Sequence, residues 1–427
     1  MLYCAEQQVK GEISLKQLDA IIKQVVEALS AERQLKKVLI IPPDYTRFHS
    51  RSGEIASKIY ELLGDAVTMV LPALGTHYKM TDEEKTSMFK GIPLSLIHDH
   101  DHKNEVVHLG TIDSDEVETI SKGAVSFDWP IEVNRLLVEE PWDLIISIGQ
   151  VVPHEVAGMS NYTKNTLVGV GGKECIDKSH FVGAICNMET IMGQIHNPVR
   201  DLLNLGSARF LSHLPIVYIQ TVVAPDMKGG TLLKGVFASD DEQSYEKAAA
   251  LAQKANIFLL DRCPKKVVVL LDEHEYKSTW VGNKSIYRSR LAIADEGELI
   301  ILAPGLHTFG ENPSADSFVR TYGYKGTEYI KQCIANDPEL ANNLGSASHL
   351  IHGSTEGRFS ITYCPGHLSK EEIEQVGFSY GSLTEYASRY NPSTLSDGWN
   401  ELDGEEIFYI SNPGLGLWAY KEKFEAH

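Results

Sequence analysis

Short apolar runs that alternate with helix-like stretches constrain the fold of this chain more than any other feature. The helix-like stretches cover 18–29, 52–63 and 81–89, and the last begins with Thr81-Asp82-Glu83-Glu84, a typical N-cap sequence. Apolar strands separated by helices are typical of parallel sheets covered on both faces. The sequence therefore predicts an α/β fold. The runs are β-branched or aliphatic and bounded by turn formers, at 38–41, 67–71, 144–148, 216–219 and 267–271.

The chain is long enough for more than one domain, since 427 residues suit two or three. The best boundary is the polar, proline-containing stretch 261–266, which precedes a new strand. We therefore predict an N-terminal cofactor-binding catalytic domain over residues 1–262 and a C-terminal substrate-facing domain over residues 263–427. Both are expected to be α/β domains with largely parallel sheets and an active-site cleft between them.

Charge and composition exclude several classes of function. The net charge of −19 disfavours nucleic acid as a partner, whereas a small anionic substrate can still bind where local cations dominate a cleft. The six cysteines show no CxxC spacing, which favours free thiols in a reducing compartment. Residues 1–17 lack signal-peptide features, and no apolar run reaches 18 residues. We therefore expect a cytoplasmic protein without a membrane span.

The residues that could carry chemistry follow the predicted strands. Asp44-Tyr45-Thr46-Arg47 follows the run 38–41, Gly75-Thr76-His77 follows 67–71, and Pro153-His154 follows 144–148. Ligands of open α/β sheets bind outside the carboxyl ends of the strands, so these loops are candidate site loops. By themselves, however, Asp44 and Arg47 also fit a simple ion pair, and His77 fits a residue that caps a helix.

Lys164 lies in a loop of small and hydroxylated residues, shortly before Gly169-Val170-Gly171-Gly172. Backbone amides in such a loop can approach a phosphate, and a lysine adds positive charge. The loop lacks the GxxxxGK[ST] pattern of a P-loop, and the spacing alone favours a flexible surface loop with a solvated lysine. A single imidazole such as His180 can bind nickel, zinc, copper or iron, but one histidine does not form a metal site by itself.

A second candidate metal site is the stretch 98–102, which is dense in histidine and aspartate. In a strand, His98, His100 and His102 would share one face and could bind zinc or manganese. The same pattern also fits a polar loop beside the end of a strand.

Three segments of the chain resemble the lactate racemase family and occur in the same order. They are Asp44-Tyr45-Thr46-Arg47, Gly75-Thr76-His77 with Met80-Thr81 behind it, and the set His154, Lys164 and His180. The spacing within the third, ten residues from His154 to Lys164 and sixteen from Lys164 to His180, is similar to the family's pattern. The resemblance covers roughly the first 260 residues and is weaker beyond them.

The resemblance implies a nickel-pincer nucleotide, pyridinium-3,5-bisthiocarboxylic acid mononucleotide, as the cofactor. It implies that Lys164 holds this cofactor covalently through a thioamide. His180 would be the protein's ligand to nickel, because the cofactor supplies two sulfurs and a ring carbon. Asp44 is expected to orient the cofactor or Arg47.

The resemblance also implies that His77 and His154 are the paired acid/base residues and that Arg47 binds the substrate. Inversion of a 2-hydroxy acid carbon can proceed by removal of hydride while a histidine accepts the hydroxyl proton. The planar keto product can receive hydride on either face, so one histidine on each face serves each enantiomer. Imidazole titrates near neutral pH, and guanidinium grips a carboxylate with two hydrogen bonds.

The second half of the chain departs from the family's pattern. Where family members place Tyr-Gln and then Lys in the substrate site, this chain has Tyr287, Arg288 and Leu291, and Arg290 or Lys284 could replace the lysine. Polar groups that face a lactate methyl would stay unpaired, which disfavours lactate. We expect a larger polar substrate, such as an aldonate epimerised at C2, with malate as another possibility. Further polar residues suited to a polyol chain are His349, His352, Ser354, Glu356 and Arg358.

Two other functions stay open from the sequence. One is a zinc- or manganese-dependent sugar-acid isomerase that uses His98, His100 and His102. The other is an inactive ligand-binding homologue. Four intact residues argue against it, namely Lys164, His180, His77 and His154. A nickel-pincer enzyme would also need separate maturation enzymes as partners, and the sequence leaves its oligomeric state open.

Overall fold

The structure is a computed structural model that describes residues 1–226 and 230–426. Its α-helices are α1 (Leu15–Glu32), α2 (Ser52–Leu63), α3 (Asp82–Met88), α4 (Ser114–Ile120), α5 (Arg135–Glu139), α6 (Lys173–Ile185), α7 (Met188–Ile191), α8 (Pro198–Phe210), α9 (Gln243–Asn256), α10 (Thr279–Gly282), α11 (Lys284–Ser289), α12 (Pro313–Tyr322), α13 (Thr327–Asn336), α14 (Pro338–Ala341), α15 (Leu344–His352), α16 (Lys370–Gln375), α17 (Leu383–Arg389) and α18 (Lys421–Glu425). Its strands are β1 (Leu2–Gln7), β2 (Val38–Ile41), β3 (Val67–Val70), β4 (Val106–Ile112), β5 (Trp129–Asn134), β6 (Leu144–Gln150), β7 (Pro153–His154), β8 (Gly158–Met159), β9 (Ile216–Pro225), β10 (Thr231–Ser239), β11 (Ile257–Leu260), β12 (Lys266–Leu270), β13 (Glu298–Ala303), β14 (Ser360–Pro365), β15 (Ser379–Tyr380), β16 (Gly398–Leu402), β17 (Glu405–Ile410) and β18 (Leu417–Tyr420).

The chain divides into two compact units. The first comprises Met1–Val182 and Met192–Asn256, and the second comprises Gly183–Ile191 and the chain from Ile257 onward. No pattern in the sequence indicated that Gly183–Ile191 belongs with the second half of the chain. This segment is held there by the buried Glu189, which forms ion pairs with Arg290, Arg358 and Lys423.

The first unit is built on a six-stranded sheet with the order β1-β10-β9-β6-β2-β3. The strands β9, β6, β2 and β3 are parallel, whereas β10 and β1 add an antiparallel edge. Every residue of β6 is buried, as expected for a central strand covered on both faces. The apolar runs at 38–41, 67–71, 144–148 and 216–219 all lie in this sheet, which confirms their prediction as strands.

Amphipathic helices cover one face of this sheet. Buried residues of α1 recur every three or four positions, so they form one apolar stripe that packs on the strands with α2. Ser14 and Gln17 form a capping box at the start of α1, and Thr81 and Glu84 form another at α3. The predicted helices at 18–29, 52–63 and 81–89 are therefore confirmed.

The second unit contains a separate six-stranded sheet with the order β15-β14-β13-β12-β17-β16. All neighbouring pairs are parallel except β16 with β17. Val268, Ile300 and Tyr409 belong to its buried core. The predicted α/β class with parallel-rich sheets is thus confirmed. No helix within the described ranges is long and apolar enough to cross a membrane.

Candidate active site

Loops from neighbouring parallel strands of the first unit are joined at the carboxyl edge of the sheet. Gly75 adopts a φ of 56°, which favours glycine, and its N–H donates to the carbonyl of Gly169 at 2.8 Å. The side-chain amide of Asn165 donates to Ser147 Oγ at 2.9 Å and to the carbonyl of Ile41 at 3.2 Å. These bonds tie the loop after β3 and the end of β2 to the segment that follows Lys164.

Asp44 and His77 form a carboxylate–imidazole pair in which the carboxylate is buried and the imidazole is exposed. Asp44 Oδ2 lies 2.6 Å from His77 Nδ1, while Asp44 Oδ1 accepts hydrogen bonds from Thr46 N–H and from Thr46 Oγ1. Burial alone would raise the pKa of Asp44, but its bonds to His77 and Thr46 and the charge of Arg47 hold it below its usual range. The ionised carboxylate thus fixes the His77 proton on Nδ1 and leaves the Nε2 lone pair available as a base.

His154 is held in the opposite way. Its ring is buried, and Nδ1 accepts hydrogen bonds from the backbone N–H groups of Val156 at 3.1 Å and Ala157 at 3.4 Å. Burial lowers the pKa of His154 well below its usual value, and the nearby charges of Lys164 and Arg47 lower it further. His154 is therefore neutral with its proton on Nε2, so in this conformation it is a hydrogen-bond donor, in contrast to His77.

Lys164 is half-buried and follows two residues with left-handed backbone, Asn161 (φ 67°) and Tyr162 (φ 60°). Burial and the charges of Arg47 and Arg200 lower the pKa of Lys164 to about 8. The amine is therefore neutral far more often at physiological pH than an ordinary lysine, and a neutral amine is a nucleophile.

His180 lies on α6 and is half-buried. Its Nδ1–H donates to the carbonyl of Ile176 at 2.8 Å, which leaves Nε2 free to bind a metal. Burial and the charge of Lys164 lower the pKa of His180, so the ring is neutral, as a ligand must be.

The donor set fits the cofactor that the sequence analysis implies. Within the described ranges, no group of three or more His, Cys, Asp or Glu side chains is placed to hold a metal ion. A metal at His180 would therefore need most of its ligands from a bound molecule. The reactive amine of Lys164 is close enough to His180 to lower its pKa, so one molecule could be attached at Lys164 and ligated near His180.

The three-histidine alternative is not formed. Residues 98–102 lie outside any strand, so they do not present one face. His98 Nε2 lies 2.8 Å from Glu105, while the ring of His100 donates to the carbonyl of Gly171 and accepts from Asn134. Burial lowers the pKa of His100 to about 4. These hydrogen bonds explain why the polar residues occur there, so the structure favours the polar-loop interpretation over a zinc or manganese site.

Most of the second-unit residues that the sequence analysis proposed for the substrate form hydrogen bonds or ion pairs within that unit. Tyr287 and Arg288 are buried on α11, and Arg288 Nη1 lies 3.4 Å from the carbonyl of Gly416. Arg290 is 3% exposed and pairs with Glu189, so it does not stand in for the family's lysine. Other polar residues of this region also have partners there, namely Ser278, Thr279, Ser354 and Arg358.

Comparison with known proteins finds a family model and a curated relative that match part of this chain. A family model described as the lactate racemase N-terminal domain matches residues 5–193. A curated lactate racemase from Thermoanaerobacterium thermosaccharolyticum is 26% identical over 279 residues, which is 63% of this chain and 60% of the relative. The matched region thus spans less than two thirds of that relative's length.

Two solved structures share the fold. A protein from Thermotoga maritima matches with a TM-score of 0.80 and 24% identity, over 97% of this chain and 100% of that one. The lactate racemase apoprotein from Thermoanaerobacterium thermosaccharolyticum matches with a TM-score of 0.71 and 17% identity, over 96% and 93% of the two chains. Residues 5–193 thus match the lactate racemase N-terminal domain, and the whole chain shares its fold with these two solved structures.

Proposed function

We propose that this protein is a racemase or epimerase that inverts the C2 carbon of a 2-hydroxy acid. The proposal includes a nickel-pincer nucleotide attached at Lys164 and ligated by His180. It is supported by the match to the lactate racemase N-terminal domain. It is also supported by the lowered pKa values of the Lys164 amine and of the His180 imidazole, which favour a nucleophilic amine and a neutral metal ligand. The cofactor, when bound, would accept the hydride of C2 and return it. Separate maturation enzymes would have to install it, and we place the activity in the cytoplasm.

The chain's own residues would bind the substrate and move its proton. Arg47 would hold the carboxylate, since a guanidinium matches it with two hydrogen bonds. His77 would remove the hydroxyl proton at Nε2, because Asp44 holds its other proton on Nδ1. His154 would donate a hydrogen bond from Nε2 to the substrate oxygen. To act as a base on the opposite face, it would have to leave its bonds to Val156 and Ala157.

The observation that carries the proposal is the Asp44–His77 pair beside the electropositive surroundings of Lys164. Arg47, Lys164 and Arg200 concentrate positive charge in a chain whose net charge is −19. Such a local field selects small anions. We retain a sugar acid as the proposed substrate, although the internal bonds of Arg290 and Arg358 remove two residues from that argument. Tyr287 and Arg288 stay its proposed contacts.

The test is a substrate panel with cofactor-loaded enzyme. Lactate, malate, 2-hydroxyglutarate and several aldonates would be incubated, and inversion at C2 followed by NMR. We expect turnover of at least one polar hydroxy acid and none with Lys164→Ala. Lys173→Ala is the matched control, because Lys173 pairs with Asp177 on α6. Racemisation of lactate alone would overturn the sugar-acid proposal, and full activity of Lys164→Ala would overturn the attachment.

A further inference from the structure

Arg200 is a buried cation that is bonded to the loop before Lys164. It lies in the first turn of α8, where its N–H is capped by Asn197 Oδ1 at 3.1 Å. Its guanidinium reaches back to residues far away in sequence: Nη2 donates to the carbonyl of Met159 at 2.7 Å, and Nη1 donates to the carbonyl of Asn161 at 3.2 Å and to Thr163 Oγ1 at 3.0 Å. The planar guanidinium thus donates hydrogen bonds to three residues of a single loop.

The loop that Arg200 holds is strained. Asn161 and Tyr162 are consecutive left-handed residues, and a tyrosine rarely adopts this conformation. The ring of Tyr162 stacks on Tyr245 with centroids 5.4 Å apart, and the Arg200 guanidinium lies over Tyr245 at 4.4 Å. A strained turn persists only where contacts with the surrounding residues hold its backbone in that conformation.

We propose that Arg200 is a positioning residue for Lys164: it holds the left-handed turn that presents the Lys164 amine and keeps a positive charge near that amine. The role of Lys164 as an attachment point rests on the proposed function. The hydrogen bonds by which Arg200 holds the loop do not depend on that attachment.

The burial of the Arg200 charge supports this role. Arg200 is 0% exposed, and the hydrogen bonds of its guanidinium within the described residues go to two carbonyls and a hydroxyl, while its buried Nε has no partner there. A buried charge is costly, so its bonds to the loop must offset a large desolvation cost. Burial, Arg47 and Arg200 together lower the pKa of Lys164 to about 8, against the opposing charges of Glu155 and Asp44. The charges of Lys164 and Arg47 in turn lower the pKa of His154, and the charge of Lys164 lowers the pKa of His180.

The experiment uses the cofactor-free protein, so that it does not depend on catalysis. Amines are labelled competitively with acetic anhydride from about pH 6 to about pH 10, and Lys164 is quantified by peptide mass spectrometry. Hydrogen exchange of the segment 159–165 is measured in parallel. The variants are Arg200→Met and Arg200→Lys. Arg209→Met is the matched control, because Arg209 lies on the same helix and pairs with Glu116 at the surface.

Arg200→Met should raise the titration midpoint of Lys164 by about half a unit, because one nearby positive charge is gone, and slow its labelling near neutral pH about threefold. Exchange in 159–165 should be about tenfold faster in both Arg200 variants. Arg200→Lys should keep the wild-type midpoint, since the charge remains while the planar guanidinium is lost. Arg209→Met should change neither.

Wild-type labelling and exchange in folded Arg200→Met would overturn the proposal. If Arg200→Met does not fold, the test uses Arg200→Lys. Wild-type hydrogen exchange of residues 159–165 in Arg200→Lys would then overturn the proposal that Arg200 holds the loop. A wild-type protein that never carries an adduct would contradict the proposed function and leave the apoprotein result intact. The two failures are therefore distinguishable.

Discussion

Replacing Asp44 with Asn tests the chemistry of His77 most sharply. The asparagine Oδ1 can still accept the bonds from Thr46, but its amide cannot accept the His77 Nδ1 proton as the carboxylate does at 2.6 Å. His77 would shift its proton to Nε2 and lose the lone pair that acts as the base. General base catalysis contributes about 10²–10⁴-fold. We expect kcat to fall by that factor, which is roughly 3–5 kcal/mol of activation free energy.

The fold should tolerate this change. The His77 side chain is 60% exposed, so solvent screens its bond to Asp44, and we expect a loss of no more than about 1 kcal/mol in the free energy of unfolding. Turnover would be measured with loaded enzyme, and the His77 tautomer by ¹⁵N NMR of cofactor-free, histidine-labelled protein. Glu105→Gln is the matched control, because Glu105 binds His98 Nε2 at 2.8 Å outside the site. Wild-type kcat with an unchanged His77 tautomer in Asp44→Asn would refute the reasoning.

Three further predictions concern the metal, the pH response and the second unit. His180→Ala should lower nickel content in loaded protein, whereas His77→Ala and His154→Ala should keep nickel and lose turnover; loss of nickel in all three would contradict these roles. In ¹⁵N spectra, His154 should stay neutral with its proton on Nε2 well below pH 6.5, since burial and nearby cations lower its pKa, and a protonated ring at that pH would contradict it. Glu189→Gln should destabilise the fold by about 3–5 kcal/mol because it leaves the buried cation Arg290 without its carboxylate partner, whereas the exposed Glu328→Gln should have little effect in thermal melts. Burial opposes ionisation of Glu189, but Arg290, Lys423 and Arg358 hold its pKa below 4.5. The contribution of Glu189 to the free energy of unfolding should therefore be complete above pH 4.5 and be lost as the pH falls through the folded pKa.

Local signals in the sequence predicted most elements of the fold. Most of the apolar runs became buried strands inside a sheet, as for 144–148 within β6, whereas 67–71 forms the edge strand β3. Thr81 and Glu84 formed the capping box that their spacing indicates. The candidate loops follow adjacent strands, so the carboxyl-edge rule was enough to group them.

Contacts between residues distant in sequence could not be predicted. Asp44 was expected to orient the cofactor or Arg47, yet its Oδ2 pairs with His77, 33 positions away. Arg200 follows an Asn-Pro helix start, which indicates a helix but not a guanidinium that reaches the 159–163 loop. Arg290 looked suited to a substrate, but it is paired with Glu189, which is 101 positions earlier. Pairings of this kind depend on tertiary packing, which periodicity does not report.

The central claim is that Lys164 carries a nickel-containing nucleotide, and intact-mass measurement tests it most directly. The protein would be purified from its native host, weighed under non-denaturing conditions, and digested to map any modified peptide, with nickel measured on the same sample. We predict one adduct per chain at Lys164, close to one nickel per chain, and no adduct in Lys164→Ala. A protein that inverts a 2-hydroxy acid while Lys164 is unmodified would contradict the account.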